Sequence, residues 1–386
     1  MSLWDFLYTT ICKGKYLKMN CVDLLLKLIS YKTITPNEDG SYKFIEEYLE
    51  GFEVVRYDVQ EVKNIFLTKK FSDDNIHLCF AGHIDVVPAG DGWSYDAFVP
   101  RIENDRIFGR GAQDMKSGVA AFITAVKDAA YFKGRLSILL TSDEEGDAID
   151  GTIKMLQHLK EINLLPQFCI VAEPTCDKIF GDLIKVGRRG SINGKITIKG
   201  RQGHAAYPEK SINPVHDIAP ILASIAGANL DDGDDYFAPS KLVITDIRAG
   251  MEVTNVTPGE LKMMFNVRNS TKTDIDKIKT FIENKIGKLD YTLELSQSAK
   301  PFVTKTESKL IQVLGKCIED TCGIKPQYST AGGTSDARFV AQFGIEVAEF
   351  GVINDTIHAP NESTTIDEIE KLYTIFTKVI KNFNNT

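Results

Sequence analysis

Three apolar runs in this chain each break off at a charged or imidazole side chain, and this limits its fold more than any other feature. They are "CFAGHIDVV" at 79–87, "ILLTSDEEG" at 138–146 and "CIVAEPT" at 169–175. Each is short, rich in β-branched and aromatic residues, and bounded by turn formers, so each reads as a buried strand. The first delivers His83 and Asp85, the second Glu144 and Glu145, the third Glu173. Helix-like segments separate them, "GVAAFITAVKDAAYF" and "GTIKMLQHLKEI". Alternation of this kind predicts an α/β layered sheet. Ligand sites in such sheets lie at the carboxyl ends of the strands, where these side chains fall.

The flanking sequence extends the pattern. Leu24, Leu25, Leu28 and Ile29 recur at helical spacing before Pro36, and "FEVVRYDV" and "NIFLTKK" read as strands. After about residue 188 the pattern changes to alternating, half-exposed strands ("SINGKITIKG", "KLVITDIRAG", "ELKMMFNVRNS") around a helix-like "NPVHDIAPILASIAGA". We read an inserted α+β segment of two helices and an antiparallel sheet. The expected division is an N-terminal extension at 1–18, a catalytic domain at 19–189 and 301–386, and the insertion at 190–300.

The formal charge of −8 over 386 residues argues against the basic surface that nucleic-acid binding needs. Seven widely spaced cysteines fit reduced thiols and a cytoplasmic protein. Asp5 interrupts the apolar patch near the start, and no basic region precedes it, so neither a signal peptide nor a membrane anchor is expected. Met19 opens the periodic segment, which places the preceding residues outside the fold.

Two further segments bring ligand-type residues. The loop "GRGAQDMKSG" sets Asp114 just before a helix that starts near Ser117, and "NDTIHAPNE" adds His358. Alone, His83 would pass for a hydrogen-bonded structural histidine and Asp114 for a helix cap. Together, two imidazoles and three carboxylates form a metal-ligand set. Residues i and i+2 of a strand share a face, so the Asp85 carboxylate is expected to accept the ring N–H of His83 that faces away from the metal. Glu144 and Glu145 are adjacent and diverge on extended backbone. That suits Glu145 as ligand and Glu144 as the proton shuttle that hydrolysis by an activated water requires. His77, His158 and His216 lack this context, and His77 and His158 read as packing or surface residues.

The ordered set "GHIDVVPAGDGW", "GRGAQDMKSGVAA", "TSDEEGDAIDGT", "VAEPT", "GRQGHAAYP", "GGTSDARF" and "IHAPNE" resembles the zinc-dependent aminoacylase and carboxypeptidase superfamily. The resemblance runs from about Met19 to the C-terminus. It implies a mixed-sheet, zinc-exopeptidase-like α/β domain with an inserted dimerisation domain, in a homodimeric hydrolase that cleaves a linear amide in a small, carboxylate-bearing substrate. It implies two zinc ions per subunit, which cobalt can replace. His83 and Glu173 would hold one ion, Glu145 and His358 the other, and Asp114 would bridge them. Glu144 matches the catalytic acid/base and Asp85 the partner of His83. His204 of "QGHAAYP" matches a residue that reaches the partner subunit's site and stabilises an oxyanion. Arg188, Arg189, Asn255, Arg268, Gly333, Thr334, Ser335 and Asn354 match substrate-binding positions, and a guanidinium suits a carboxylate because it donates two parallel hydrogen bonds. Thr254 stands where that family pattern leads us to expect a second asparagine. A relative that had lost catalysis would have dropped Glu144 or a ligand, and all are present.

Overall fold

The computed structural model describes residues 19–384, so the extension expected at 1–18 lies outside the described residues. The chain divides into two compact units. The first comprises the described residues up to Val186 with Thr304–Ser329 and those from Ser335 on, and the second comprises Gly187–Val303 with Thr330–Thr334.

The first unit is built on an eight-stranded mixed sheet. Its strands are β1 (Glu53–Arg56), β2 (Asn64–Lys70), β3 (His77–His83), β4 (Arg135–Thr141), β5 (Phe168–Val171), β6 (Leu183–Lys185), β11 (Gln327–Ser329) and β12 (Glu346–Glu349), in the order β1-β2-β4-β3-β5-β12-β6-β11. The central run β4-β3-β5-β12 is parallel. The first two of these strands show why: almost every residue of β3 and β4 is buried, which requires helices on both faces. Those helices include α1 (Cys21–Ile29), α3 (Lys116–Lys127), α7 (Lys309–Cys322) and α9 (Ile366–Phe383), with α9 against α1, α3 and α7. Capping boxes start α1 (Asn20 with Asp23) and α9 (Thr365 with Glu368). The short helices α2 (Ser41–Tyr48), α4 (Thr152–Glu161) and α8 (Ala337–Gln342) complete this unit.

One glycine sets how closely α3 approaches the sheet. A Cβ on Gly118 would lie 2.3 Å from the Ala172 carbonyl oxygen, so only glycine lets the start of this helix rest on the end of β5. The loop before α3 carries Asp114, and the residue after Ala172 is Glu173. Close packing therefore brings two of the expected ligands together.

The second unit holds a four-stranded antiparallel sheet in the order β8 (Lys241–Ala249), β9 (Glu260–Arg268), β7 (Ser191–Lys199), β10 (Tyr291–Ala299). Its alternating pattern puts Leu261, Met263, Phe265 and Val267 on one face. That face packs on Ile278, Ile282 and Ile286 of α6 (Ile275–Ile286) and on Ile218 of α5 (Pro214–Leu222). Periodicity predicted a longer α5. It stops at Leu222, two residues after Pro220, which has no N–H to donate. The opposite face shows Val243, Ile247 and Met264 to solvent, Val243 at 52% exposure. Within this unit Asp231 accepts from the amides of Gly233 and Ser240 and from the hydroxyls of Ser270 and Thr273.

Among the described residues no helix is long and apolar enough to cross a membrane. The six described cysteines are free, and all but Cys322 are buried.

Candidate metal centre

Because β4, β3 and β5 are adjacent and parallel, the residues at their carboxyl ends share one edge. His83 is the last residue of β3, Glu144 and Glu145 lie in the turn after β4, and Glu173 follows β5. Asp114 arrives on the loop before α3, and His358 on the loop after β12, the strand next to β5.

These side chains converge. His83 Nε2 lies 3.3 Å from Asp114 Oδ1 and 3.9 Å from Glu173 Oε1. His358 Nε2 lies 3.4 Å from Asp114 Oδ2 and 2.9 Å from Glu145 Oε1. Two triads result, His83–Asp114–Glu173 and Asp114–Glu145–His358, each with its donor atoms within 4.8 Å of one another. Asp114 belongs to both and turns a different oxygen toward each imidazole.

Electrostatics in the cluster follow from crowding. Burial, then the charge of Asp114, drives the Glu173 carboxyl well above the usual carboxylate range. Burial also raises Glu144, to about 8, with Asp336, Asp114 and Glu145 adding to the rise and His83 opposing it. Burial opposes a charge on His83, yet the hydrogen bond to Asp114 and the charges of Glu173, Asp85 and Glu144 hold it well above its ordinary value. His358 is raised to about 10 by its hydrogen bonds to Asp114 and Glu145. Burial would raise Asp114, but bonds from both histidines depress it.

The donors thus gather more negative charge than the two imidazoles neutralise, the condition a divalent cation reverses. Their atoms are carboxylate oxygen and imidazole nitrogen, which suit zinc, cobalt or manganese. The residues fit a two-ion centre.

Asp85 departs from expectation. His83 Nδ1 donates to the main-chain oxygen of Asp85 at 2.8 Å, and the Asp85 carboxylate lies 3.7 Å from that nitrogen. The strand ends at His83, so its alternation does not reach Asp85. The fully buried carboxylate instead accepts the amides of Glu144 and Glu145 at 3.3 and 3.1 Å. It anchors the double-glutamate turn, while the carbonyl fixes the His83 tautomer with Nε2 toward the cluster. Burial, opposed by the charge of His83 and by these amides, raises the carboxyl of Asp85 to about 6.

The expected substrate residues are placed variously. In the second unit Arg188 is buried and donates to the carbonyls of Gly333 at 3.0 Å and Ala331 at 3.5 Å, so this guanidinium holds the 330–334 loop. Arg189 is half-buried, Arg268 is exposed at the end of β9, Gly333 is exposed and Thr334 half-buried. The side chain of Asn255 is exposed, and its carbonyl accepts from Ala205. His204 is exposed on a two-residue strand, its Nδ1 accepting the Ala206 amide. In the first unit the Ser335 hydroxyl is buried and donates to Glu349 at 2.7 Å, so it serves the interior rather than a bound molecule. Asn354 is exposed and donates its amide to Cys176. Asp336, next to Ser335 in "GGTSDARF", was missed by sequence reasoning. It is buried, accepts from Thr152 at 2.6 Å, and its charge acts on Glu144.

The model of peptidase family M20/M25/M40 matches residues 79–382 of this chain. A succinyl-diaminopimelate desuccinylase of Sulfurovum is 62% identical over 365 residues, 95% of this chain and 99% of that protein. Among solved structures, an aminopeptidase of Bacillus cereus superposes with a TM-score of 0.78 at 18% identity, covering 95% of this chain and 99% of that one. A Bacillus subtilis protein described as a dinuclear metal-binding peptidase of the M20 family superposes with a TM-score of 0.69 at 15% identity, covering 95% and 98%. The two structures share this fold.

Proposed function

This chain belongs to peptidase family M20/M25/M40, and from that premise we propose that it hydrolyses N-succinyl-LL-2,6-diaminopimelate to succinate and LL-2,6-diaminopimelate. One observation carries the reading: the 62% identity to a protein of that activity spans nearly the whole of both chains. The reaction belongs to lysine and diaminopimelate synthesis in bacteria.

The five ligands would hold two divalent ions, zinc in the cell with cobalt as a substitute: His83 and Glu173 one, Glu145 and His358 the other, Asp114 both. When bound, such ions polarise a carbonyl and lower the pKa of water. The protein's own part falls to Glu144. Its carboxylate takes a proton from the attacking water as the new C–O bond forms at the succinyl carbonyl. It then gives that proton to the nitrogen as the C–N bond breaks, and the second proton of the water passes from the new carboxyl group to the freed amine, so the products leave as a carboxylate and an ammonium. Asp85 holds the turn from which Glu144 projects, which keeps the shuttle beside the ligand Glu145.

The insertion at 190–300 serves as a dimerisation domain. Its edge strand β8 and the exposed Val243, Ile247 and Met264 support pairing with a second copy. Across that interface His204 would donate to the developing oxyanion of the partner's site. The carboxylates at both ends of the substrate would be met by Arg189, Arg268, Asn255, Asn354, the main chain of Gly333 and Thr334 and the side chain of Thr334, with Arg188 shaping that loop and Ser335 anchoring its end to Glu349. Free cysteines support a cytoplasmic setting.

Purified, zinc-loaded protein given N-succinyl-diaminopimelate and N-acetylornithine side by side tests the reading. The succinyl substrate should turn over far faster. Preference for acetylornithine, or no hydrolysis of either by protein shown to hold two ions, would overturn it.

A further inference from the structure

We propose that the buried pair Arg110–Glu362 is the positioning device of the metal centre, tying the Asp114 loop to the His358 loop and so setting the geometry of the Glu145 half. This rests on the two-ion reading above. Arg110 is 2% exposed and Glu362 fully buried, and their side chains meet at 2.7 Å.

Each partner gathers one loop. Glu362 Oε1 accepts the amides of Gln113 at 2.8 Å and Asp114 at 3.0 Å, and Oε2 accepts that of Gly111 at 3.1 Å. Three converging N–H groups and a guanidinium need the several lone pairs that a carboxylate supplies. Arg110 Nη2 donates to the carbonyls of His358 at 3.3 Å and Ala89 at 3.0 Å, and Nη1 to that of Ala359 at 3.3 Å. The main chain of Asp114 is thus linked to that of His358 through one carboxylate and one guanidinium.

Two features make the link consequential. His358 has a φ of +58°, a left-handed conformation that costs a non-glycine residue energy and persists only where its surroundings impose it. The Arg110 bond to its carbonyl helps impose it. In addition, the pair does not serve the two triads equally. Of Asp114, Glu145 and His358, two sit on loops that the pair ties. Of His83, Asp114 and Glu173, one does. Loosening the pair should therefore weaken one ion far more than the other.

The test is calorimetric titration of Zn²⁺ into metal-free wild type, R110K and the double variant R110Q/E362Q, with thermal unfolding as a check on folding. R110K keeps a charge opposite Glu362 but gives up most of the carbonyls, and the double variant strands no buried charge. Wild type should take two ions. Both variants should keep one ion near wild-type affinity and bind the other about 10- to 100-fold more weakly, the usual scale for partners that orient ligands. Titration with Co²⁺ should show absorption change from one tight ion only. Two ions at wild-type affinity in either variant would overturn the positioning role. So would equal weakening of both ions, which marks a general structural effect. Fewer than two ions in wild type would instead refute the two-ion reading, and the positioning role with it.

Discussion

Replacing His77 by glutamine should flatten part of the pH dependence of stability. This histidine opens β3, at the opposite end of the strand from His83 and about 20 Å away at ~3.3 Å per residue. Its Nε2 lies 2.7 Å from Ser137 Oγ, which meets Thr68 Oγ1 at 2.7 Å, and Arg135 donates to Thr68. Burial, and then the Arg135 charge, push its pKa from 6.5 down to about 4. Between those values the unfolded chain carries a proton on His77 that the folded chain does not. Stability is therefore full above about 6.5 and is lost as the pH falls through the window toward 4. At ~1.36 kcal/mol per unit the complete loss is about 3 kcal/mol, of which about 2 kcal/mol has gone by pH 5. Denaturant titrations of wild type and His77→Gln between pH 8 and 5 read it directly. Carboxylates that titrate alike in both proteins cancel in the difference. The wild type should lose about 2 kcal/mol more than the variant. Parallel stability curves would refute the assignment of a neutral, half-buried imidazole.

Two expectations concern catalysis. Glu144→Gln keeps the shape of the side chain but cannot carry a proton, so turnover should fall by roughly 10²- to 10⁴-fold with two ions still bound; near-normal turnover, or loss of an ion instead, would mean that the roles of Glu144 and Glu145 are exchanged. His204→Ala should lose about 2.7 to 4 kcal/mol of transition-state stabilisation while remaining dimeric and metal-loaded. Mixed with Glu144→Gln subunits it should regain activity, because one site of each heterodimer receives both groups, whereas heterodimers without restored turnover would place His204 in its own subunit's chemistry.

The strands, and the convergence of the candidate ligands at their ends, were legible in the sequence because both obey local rules. An apolar run that stops at His83 or Glu173 announces a strand end, and neighbouring parallel strands put such ends on one edge. What the sequence concealed was where side chains go once regular backbone stops. Asp85 lies beyond the end of β3, and its carboxylate turned to the amides of Glu144 and Glu145 while its carbonyl took the imidazole. Arg188 matches a substrate-binding position in the sequence, and its guanidinium donates to loop carbonyls more than a hundred residues later, a pairing that no local pattern announces. Arg110 and Glu362 both lie in motifs that were noted, "GRGAQD" and "IHAPNE". Their pairing spans 252 positions, and no local spacing signals it.

The way the second unit joins the chain has a consequence for how such proteins diversify. Gly187–Arg188 and Phe302–Val303 run side by side as a short antiparallel ladder, and the Thr304 amide closes it on the carbonyl of Val186. Entry and exit of the whole 187–303 excursion are therefore about 5 Å apart, a hairpin's width. A turn of two residues would bridge that gap. The segment enters and leaves through this one two-stranded ladder, so its length can change without re-threading the strands that carry the candidate ligands.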